Sequence, residues 1–305
     1  MPATICINTV TKTFPLSGKP PVQALDGVSL EVGEGELFGL IGPDGAGKTT
    51  LFRILATLLV PDAGEVRVLG YDPVSQYAEV RRRIGYMPGR FSLYQDLTVR
   101  ENLEFFASIF GTTIEANYHL IKDIYSQLEP FARRRAGQLS GGMKQKLALS
   151  CALIHKPELL LLDEPTTGVD AVSRREFWEM LARLKAEGIT IFVSTPYMDE
   201  ANRCDRIALI QKGRILSVDS PQGLTAKYEA PLYAVKAADQ YRLLQDLRSY
   251  EQTVSVFPFG ENLHLRTRDR VEEEAIAEWL RQRNHENVEV KILQPTVEDV
   301  FMALQ

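Results

Sequence analysis

The chain is short of cysteine, has no excess of positive charge and contains no long apolar run; each shortage removes a class of function. Its three cysteines, Cys6, Cys151 and Cys204, are scattered without metal or redox spacing, which excludes a disulfide scaffold and fits a reducing compartment. A formal charge of −5 offers no global field to a polyanion, so no nucleic-acid partner is expected. No stretch approaches the roughly 20 apolar residues that a spanning helix needs. The densest, Leu159-Leu160-Leu161-Leu162, lies between Glu158 and Asp163 and reads as a buried strand. Met1-Pro2-Ala3-Thr4 lacks the basic and then apolar layout of a signal peptide. No intrinsic transmembrane segment is expected, and a membrane role would have to come through a partner chain. What is present is an ordinary globular composition, 45% hydrophobic and 25% charged over 305 residues. That length suits one large domain and one small one.

Strand-like runs at Thr4–Val10 and Val28–Val32 flank a Pro/Gly-rich stretch, Pro15–Pro21. Glu36–Ile41 reads as a strand entering a glycine loop, and Lys48–Leu58 as the helix leaving it. Glu65–Leu69 and Ile84–Met87 read as further strands, and residues from about 97 to 155 as a helical subdomain. Leu159–Leu162 and Ile189–Ser194 are continuous apolar strands of the kind buried on both faces of a parallel sheet. Arg206–Val218 reads as a hairpin turning at Lys212-Gly213. After Ser220-Pro221 the pattern becomes β-α-β-β-α-β, a ferredoxin-like unit. The expected division is 1–228 for the large domain and 229–305 for a small α+β accessory domain.

Gly42-Pro43-Asp44-Gly45-Ala46-Gly47-Lys48-Thr49 has phosphate-loop spacing, in the strand–loop–helix context that such a loop requires. Glycines let backbone N–H groups converge on phosphate oxygens, and the helix adds its positive end. Lys48 is expected at the β- and γ-phosphates and the Thr49 hydroxyl on Mg²⁺. Asp163 closes the leucine run, where a carboxylate beside the loop suits Mg²⁺. Glu164, one residue on, could orient or deprotonate an attacking water. Read alone, Asp163-Glu164 has a less favoured alternative as an ordinary acidic turn after a core strand.

Leu139-Ser140-Gly141-Gly142-Met143-Lys144-Gln145 is more specific still. A serine hydroxyl and two glycine N–H groups at a helix start make a second anion site, although Ser-Gly-Gly alone is commonly just a helix cap. With the loop and the leucine run, it resembles the signature of ABC transporter ATPases over most of the chain, about Thr4–Tyr228. The wording of Gly42–Thr50 and of Ser92–Val99 is similar to the exporter subfamily that works with separate ABC-2-type permeases. The tail Pro295–Phe301 is similar to the accessory domain that many of those ATPases carry.

The resemblance implies an α/β P-loop NTPase fold of the ABC ATPase type. It has a mixed-sheet core, N-terminal antiparallel strands and a helical signature subdomain, followed here by the small domain. It also implies ATP with Mg²⁺ at a dimer interface, hydrolysis coupled to transport, and a cytoplasmic chain held at the inner membrane face by permease subunits. Phe14 matches the aromatic that stacks on adenine, though core packing would serve that residue as well. Gly42 to Thr50 would hold the triphosphate. Ser140, Gly141, Gly142 and Gln145, with Asp170 of Thr167-Gly168-Val169-Asp170, would face nucleotide held by the opposing protomer.

Two positions depart from that pattern. Gly89 stands where the family has a glutamine that contacts Mg²⁺ and water, and Gln95 is too far along to replace it. Pro196 stands where a histidine would grip the γ-phosphate, and it offers neither an imidazole nor a backbone N–H. None of His119, His155, His264 and His285 adjoins that strand in sequence; His155 reads as a dipole contact at a helix end. These departures favour a heterodimer with an ATPase that keeps both residues. A homodimer in which Glu164 suffices is the rival. A nucleotide-sensing or soluble ABC protein uncoupled from transport is the alternative function. The single phosphate loop tells against the ribosome- and DNA-acting relatives, and the signature against a small-molecule kinase.

Overall fold

The computed structural model describes residues 3–305. Two compact units divide the chain, one ending at Pro221 and the other running Gln222–Gln305.

The first unit opens with β1 (Ala3–Leu16), β2 (Lys19–Gly33), β3 (Leu37–Ile41) and α1 (Lys48–Leu55). Next come β4 (Ala63–Val68), α2 (Tyr77–Arg83) and β5 (Ile84–Met87). The helices α3 (Val99–Ile109), α4 (Ile114–Tyr125) and α5 (Gly141–Leu153) follow, then β6 (Leu159–Asp163), α6 (Ala171–Ala186) and β7 (Thr190–Thr195). β8 (Arg206–Gln211) and β9 (Arg214–Asp219) close it.

β1 pairs antiparallel with β2 and β4 in a three-stranded sheet. Here the outcome differs from the sequence reading, because Pro20 and Pro21 lie inside β2 rather than in a separating loop. β2 is an edge strand, so a residue without an N–H costs no inner ladder bond. Register shifts along β1–β2 bend the long hairpin.

The main sheet runs β5-β6-β7-β3-β8-β9, parallel apart from antiparallel β9. Every residue of β3, β6 and β7 is buried, which is why those strands read as unbroken apolar runs. Phe52 of α1 stacks on Phe192 of β7 at 4.7 Å between centroids, and Phe38 of β3 meets Phe192 edge-on at 5.6 Å. That packing seats the helix after the glycine loop firmly on the sheet. The sequence reading did not assign α6. Its buried face, Phe177, Met180, Leu181 and Leu184, has helical spacing.

A Thr98–Glu101 capping box starts α3. Buried Asn102 donates to the carbonyls of Tyr94 and Thr98 and accepts from the Tyr94 N–H, fixing the segment that leads in from β5.

α7 (Pro221–Ala226) spans the division between the units. The second unit continues with β10 (Leu232–Lys236), α8 (Gln240–Arg248), β11 (Thr253–Phe259), β12 (Asn262–Thr267), α9 (Glu273–Arg281), β13 (Glu289–Ile292) and α10 (Val297–Ala303). Its antiparallel order β11-β12-β10-β13 is the ferredoxin-like arrangement. Tyr233, Val235, Leu243, Leu247, Ile276 and Leu280 are among the residues of its own core. Among the described residues, no helix is long and apolar enough to cross a membrane.

Candidate functional site

The parallel sheet gathers four chain segments at the C-terminal ends of its strands. β3 leads into Gly42, whose N–H donates to Thr195 O at 3.3 Å. β6 ends at Asp163, in register with Ser194 of β7. β5 runs beside β6, with Met87 opposite Leu162, which brings the residues after Met87 alongside Asp163-Glu164.

Glycine is obligatory at two points of the loop. A Cβ on Gly42 would stand 2.1 Å from Ile210 O, and one on Gly47 2.4 Å from Ala24 O, with φ already at 107°. Pro43, Asp44 and Gly45 are exposed while Ala46 is buried beneath them. Thr49 and Thr50 sit in the first turn of α1, where N–H donors lack intrahelical partners. The loop and the helix start thus present the N–H donors that an anion cradle needs.

Lys48 crosses this cradle with its side chain 2% exposed. Its Nζ donates to Gly42 O at 2.7 Å and Pro43 O at 3.0 Å, and pairs with Glu164 Oε1 at 3.0 Å. Glu164 sits in a left-handed conformation, φ 50°. Its N–H donates to both Ser194 O and Ser194 Oγ, at 3.1 and 3.0 Å.

Asp163 is almost wholly buried. Ser194 Oγ and Thr49 Oγ1 both donate to its Oδ1, at 2.8 and 3.2 Å. Burial pushes the carboxyl above its usual range, and the two hydroxyls only partly offset this. A buried carboxylate with neutral donors, beside a threonine hydroxyl and next to a phosphate cradle, is an oxygen set that fits Mg²⁺. Asp163→Asn is therefore expected to raise the melting temperature of the ligand-free chain, because it removes a poorly solvated charge. It should also cancel the extra stabilisation by Mg-ATP. Thermal scans with and without Mg-ATP check both halves, and a destabilised ligand-free variant would contradict the first.

Gly89 is placed against these acids: a Cβ there would lie 3.1 Å from Asp163 O and 3.7 Å from the Glu164 Cβ. Pro196 follows Thr195, whose carbonyl bonds Gly42. Both departures from the expected pattern thus border the candidate site. Phe14 lies half-buried on the β1–β2 hairpin, opposite Val22. The neighbouring Lys12 and the Thr13 N–H are tied to Asp62, each at 2.6 Å.

The signature forms the start of α5. Ser140 is exposed and is the N-cap, its Oγ accepting a long 3.4 Å bond from the Met143 N–H. Gly142 permits close approach to α6, since a Cβ would meet Ser173 Oγ at 2.8 Å. Gln145 and Val169 line one small cavity there. Asp170 caps α6, accepting from the N–H groups of Val172 and Ser173 at 3.1 and 3.0 Å, which holds its carboxyl below the usual range. Within one chain, then, Ser140 and Asp170 act as helix caps at neighbouring turns. Two residues escaped the sequence reading: Ser194, which orients Asp163 and Glu164, and buried Glu200, which joins the ends of β6 and β7 from outside the cradle. Neither stands in a recognisable spacing to its partners.

Comparison with known proteins identifies the family. Residues 25–167 match the family model described as ABC transporter. The chain is 47% identical over 225 residues to the probable multidrug ABC transporter ATP-binding protein YbhF of Escherichia coli K12. That match covers 73% of this chain, which spans only 38% of that protein. It is 40% identical over 287 residues to the Nod factor export ATP-binding protein I of Rhizobium sp. N33, covering 92% of this chain and 91% of that one. A solved dimeric ATP-binding cassette with ADP and Pi bound superposes with a TM-score of 0.64 at 28% identity. It covers 71% of this chain and 98% of its own.

Proposed function

This chain belongs to the ATP-binding proteins of ABC transporters, and from that premise we propose that it is the ATP-binding subunit of an exporter whose membrane permease is a separate chain. In this reading the loop Gly42 to Thr50 and the helix α1 hold the triphosphate, with Lys48 on its terminal phosphates. Thr49 and Asp163 hold Mg²⁺, which neutralises charge on the phosphates. Glu164, released from Lys48, orients the attacking water and takes its proton. Phe14 supports adenine. Ser140, Gly141, Gly142, Gln145 and Asp170 serve nucleotide on a second ATPase subunit.

One observation carries the finer proposal. The signature start is intact, whereas the segments bordering Asp163 and Gly42 carry Gly89 and Pro196. The chain's own site should therefore bind nucleotide better than it turns it over, and the partner of choice is an ATPase that retains the missing glutamine and histidine. An apolar groove of about 340 Å³ bordered by Leu58, Met87, Leu93, Phe106, Ile109 and His155 adjoins the 89–99 segment and is the expected permease seat. Leu58 and Ile109 are more than half exposed there, as suits a surface that a partner covers. ATP turnover by the isolated chain at high protein concentration tests the assignment. Slow turnover despite measurable ATP binding is expected; rapid, cooperative hydrolysis would favour the homodimer instead.

A further inference from the structure

Glu200 is 3% exposed and lies outside the phosphate cradle. A buried carboxylate is costly unless its oxygens are fully met, and here they are met by three different segments. Thr166 Oγ1 donates to both carboxylate oxygens, at 2.9 and 3.1 Å. The Thr195 hydroxyl donates to Oε2. Arg174 Nε sits 3.3 Å from Oε1, while the same guanidinium reaches Asp199 at 2.6 Å.

Each of these partners is next to a group already described. Thr166 is two residues past Glu164, and its carbonyl accepts the Val169 N–H at 3.2 Å, closing the turn that leads to Asp170. Thr195 ends β7, bonds Gly42 through its carbonyl, and accepts the Tyr197 N–H at 3.1 Å through its hydroxyl. Arg174 lies in the first turn of α6, its N–H bonded to Asp170 O at 2.9 Å. Pro196 offers no N–H at this bend, and the next N–H, that of Tyr197, is met by the Thr195 hydroxyl.

We propose that Glu200 is a positioning residue. Its carboxylate clamps the end of β7 to the loop carrying Glu164 and to the helix start carrying Asp170, so that the water-activating group and the partner-facing turn keep one geometry. The carboxylate itself bonds no residue of the phosphate loop, and Thr195 meets Gly42 through its carbonyl rather than through the clamped hydroxyl, so the effect falls mainly on turnover and little on affinity. It rests on the assignment of Glu164 above, and Glu164→Gln serves as the control for that assignment.

The test compares Glu200→Gln with the unaltered chain in three measurements: phosphate release at saturating Mg-ATP, the Kd for a fluorescent ATP analogue, and hydrogen exchange. A displacement of about 1 Å at a reacting group can cost up to a hundredfold in rate, so turnover is expected to fall about tenfold or more. The Kd should stay within about twofold, with the amides of Glu164 and Val169 exchanging faster and those of α1 unchanged; Glu200→Asp should recover part of the rate. Unchanged turnover, or turnover and affinity falling together, would overturn the proposal. Should Glu200→Gln fail to fold, Thr166→Val and Thr195→Val each remove one donor and should each lower turnover severalfold at constant Kd. Wild-type behaviour of both overturns the clamp. If turnover ignores Glu164→Gln yet responds to the Glu200 series, the clamp stands and the role of Glu164 is what fails.

Discussion

Restoring the two missing groups with Gly89→Gln and Pro196→His is expected to raise ATP turnover of the chain by about a hundredfold. One preorganised group that stabilises a transition state is commonly worth a factor of roughly a hundred to a thousand, and groups acting on one phosphoryl transfer combine less than multiplicatively. Position 89 can take a side chain. A Cβ at position 89 needs a few tenths of an ångström from Asp163 O, which lies 3.1 Å away, and meets nothing closer. Position 196 follows a residue bonded directly to Gly42, so an imidazole there starts beside the phosphate loop and the lost N–H returns with it. Steady-state phosphate release by single and double variants gives the answer. A double variant within a few-fold of the parent would overturn the reading that Gly89 and Pro196 limit turnover.

A second large effect is an asymmetry between Ser140 and Lys48. In an assembly with an ATPase that keeps the glutamine and histidine, Ser140→Arg in this chain should cut total turnover by about a hundredfold, because it places bulk and charge where the partner's nucleotide would be met. Ser140 is exposed and its capping bond is long at 3.4 Å, so the substitution damages the fold little. Lys48→Ala should cost this chain's own nucleotide affinity about 10- to 100-fold, from charge-assisted bonds worth about 1.5–3 kcal/mol. It should nevertheless leave the assembly's turnover within a few-fold. In a homodimer the two substitutions would be equally damaging, so the ratio of their effects, read from phosphate release and ATP binding on the same preparations, decides between the two assemblies.

Much of this was legible before any coordinates, for a physical reason. A phosphate loop works through consecutive backbone N–H groups, so its requirements are local and appear as fixed spacing, as they do from Gly42 to Thr49. The signature is local in the same way, and strands buried on both faces announce themselves as runs such as Leu159–Leu162. The hairpin prolines misled because Pro20 and Pro21 are acceptable only on an edge, and edge status belongs to the sheet rather than to the segment.

The sequence by itself determined the family, through its local motifs, and the two departures at positions 89 and 196. Only the tertiary structure decided that Gly89 lies against the acids while Pro196 follows the residue bonded to Gly42, because the strand order β5-β6-β7-β3 brings four distant segments to one edge. It alone revealed Ser194 behind Asp163 and the Glu200 clamp, since a buried hydrogen bond between residues 31 or 34 apart leaves no spacing to read. Burial, which sets the cost of each of those charges, is a property of the packed chain and of no single stretch of it.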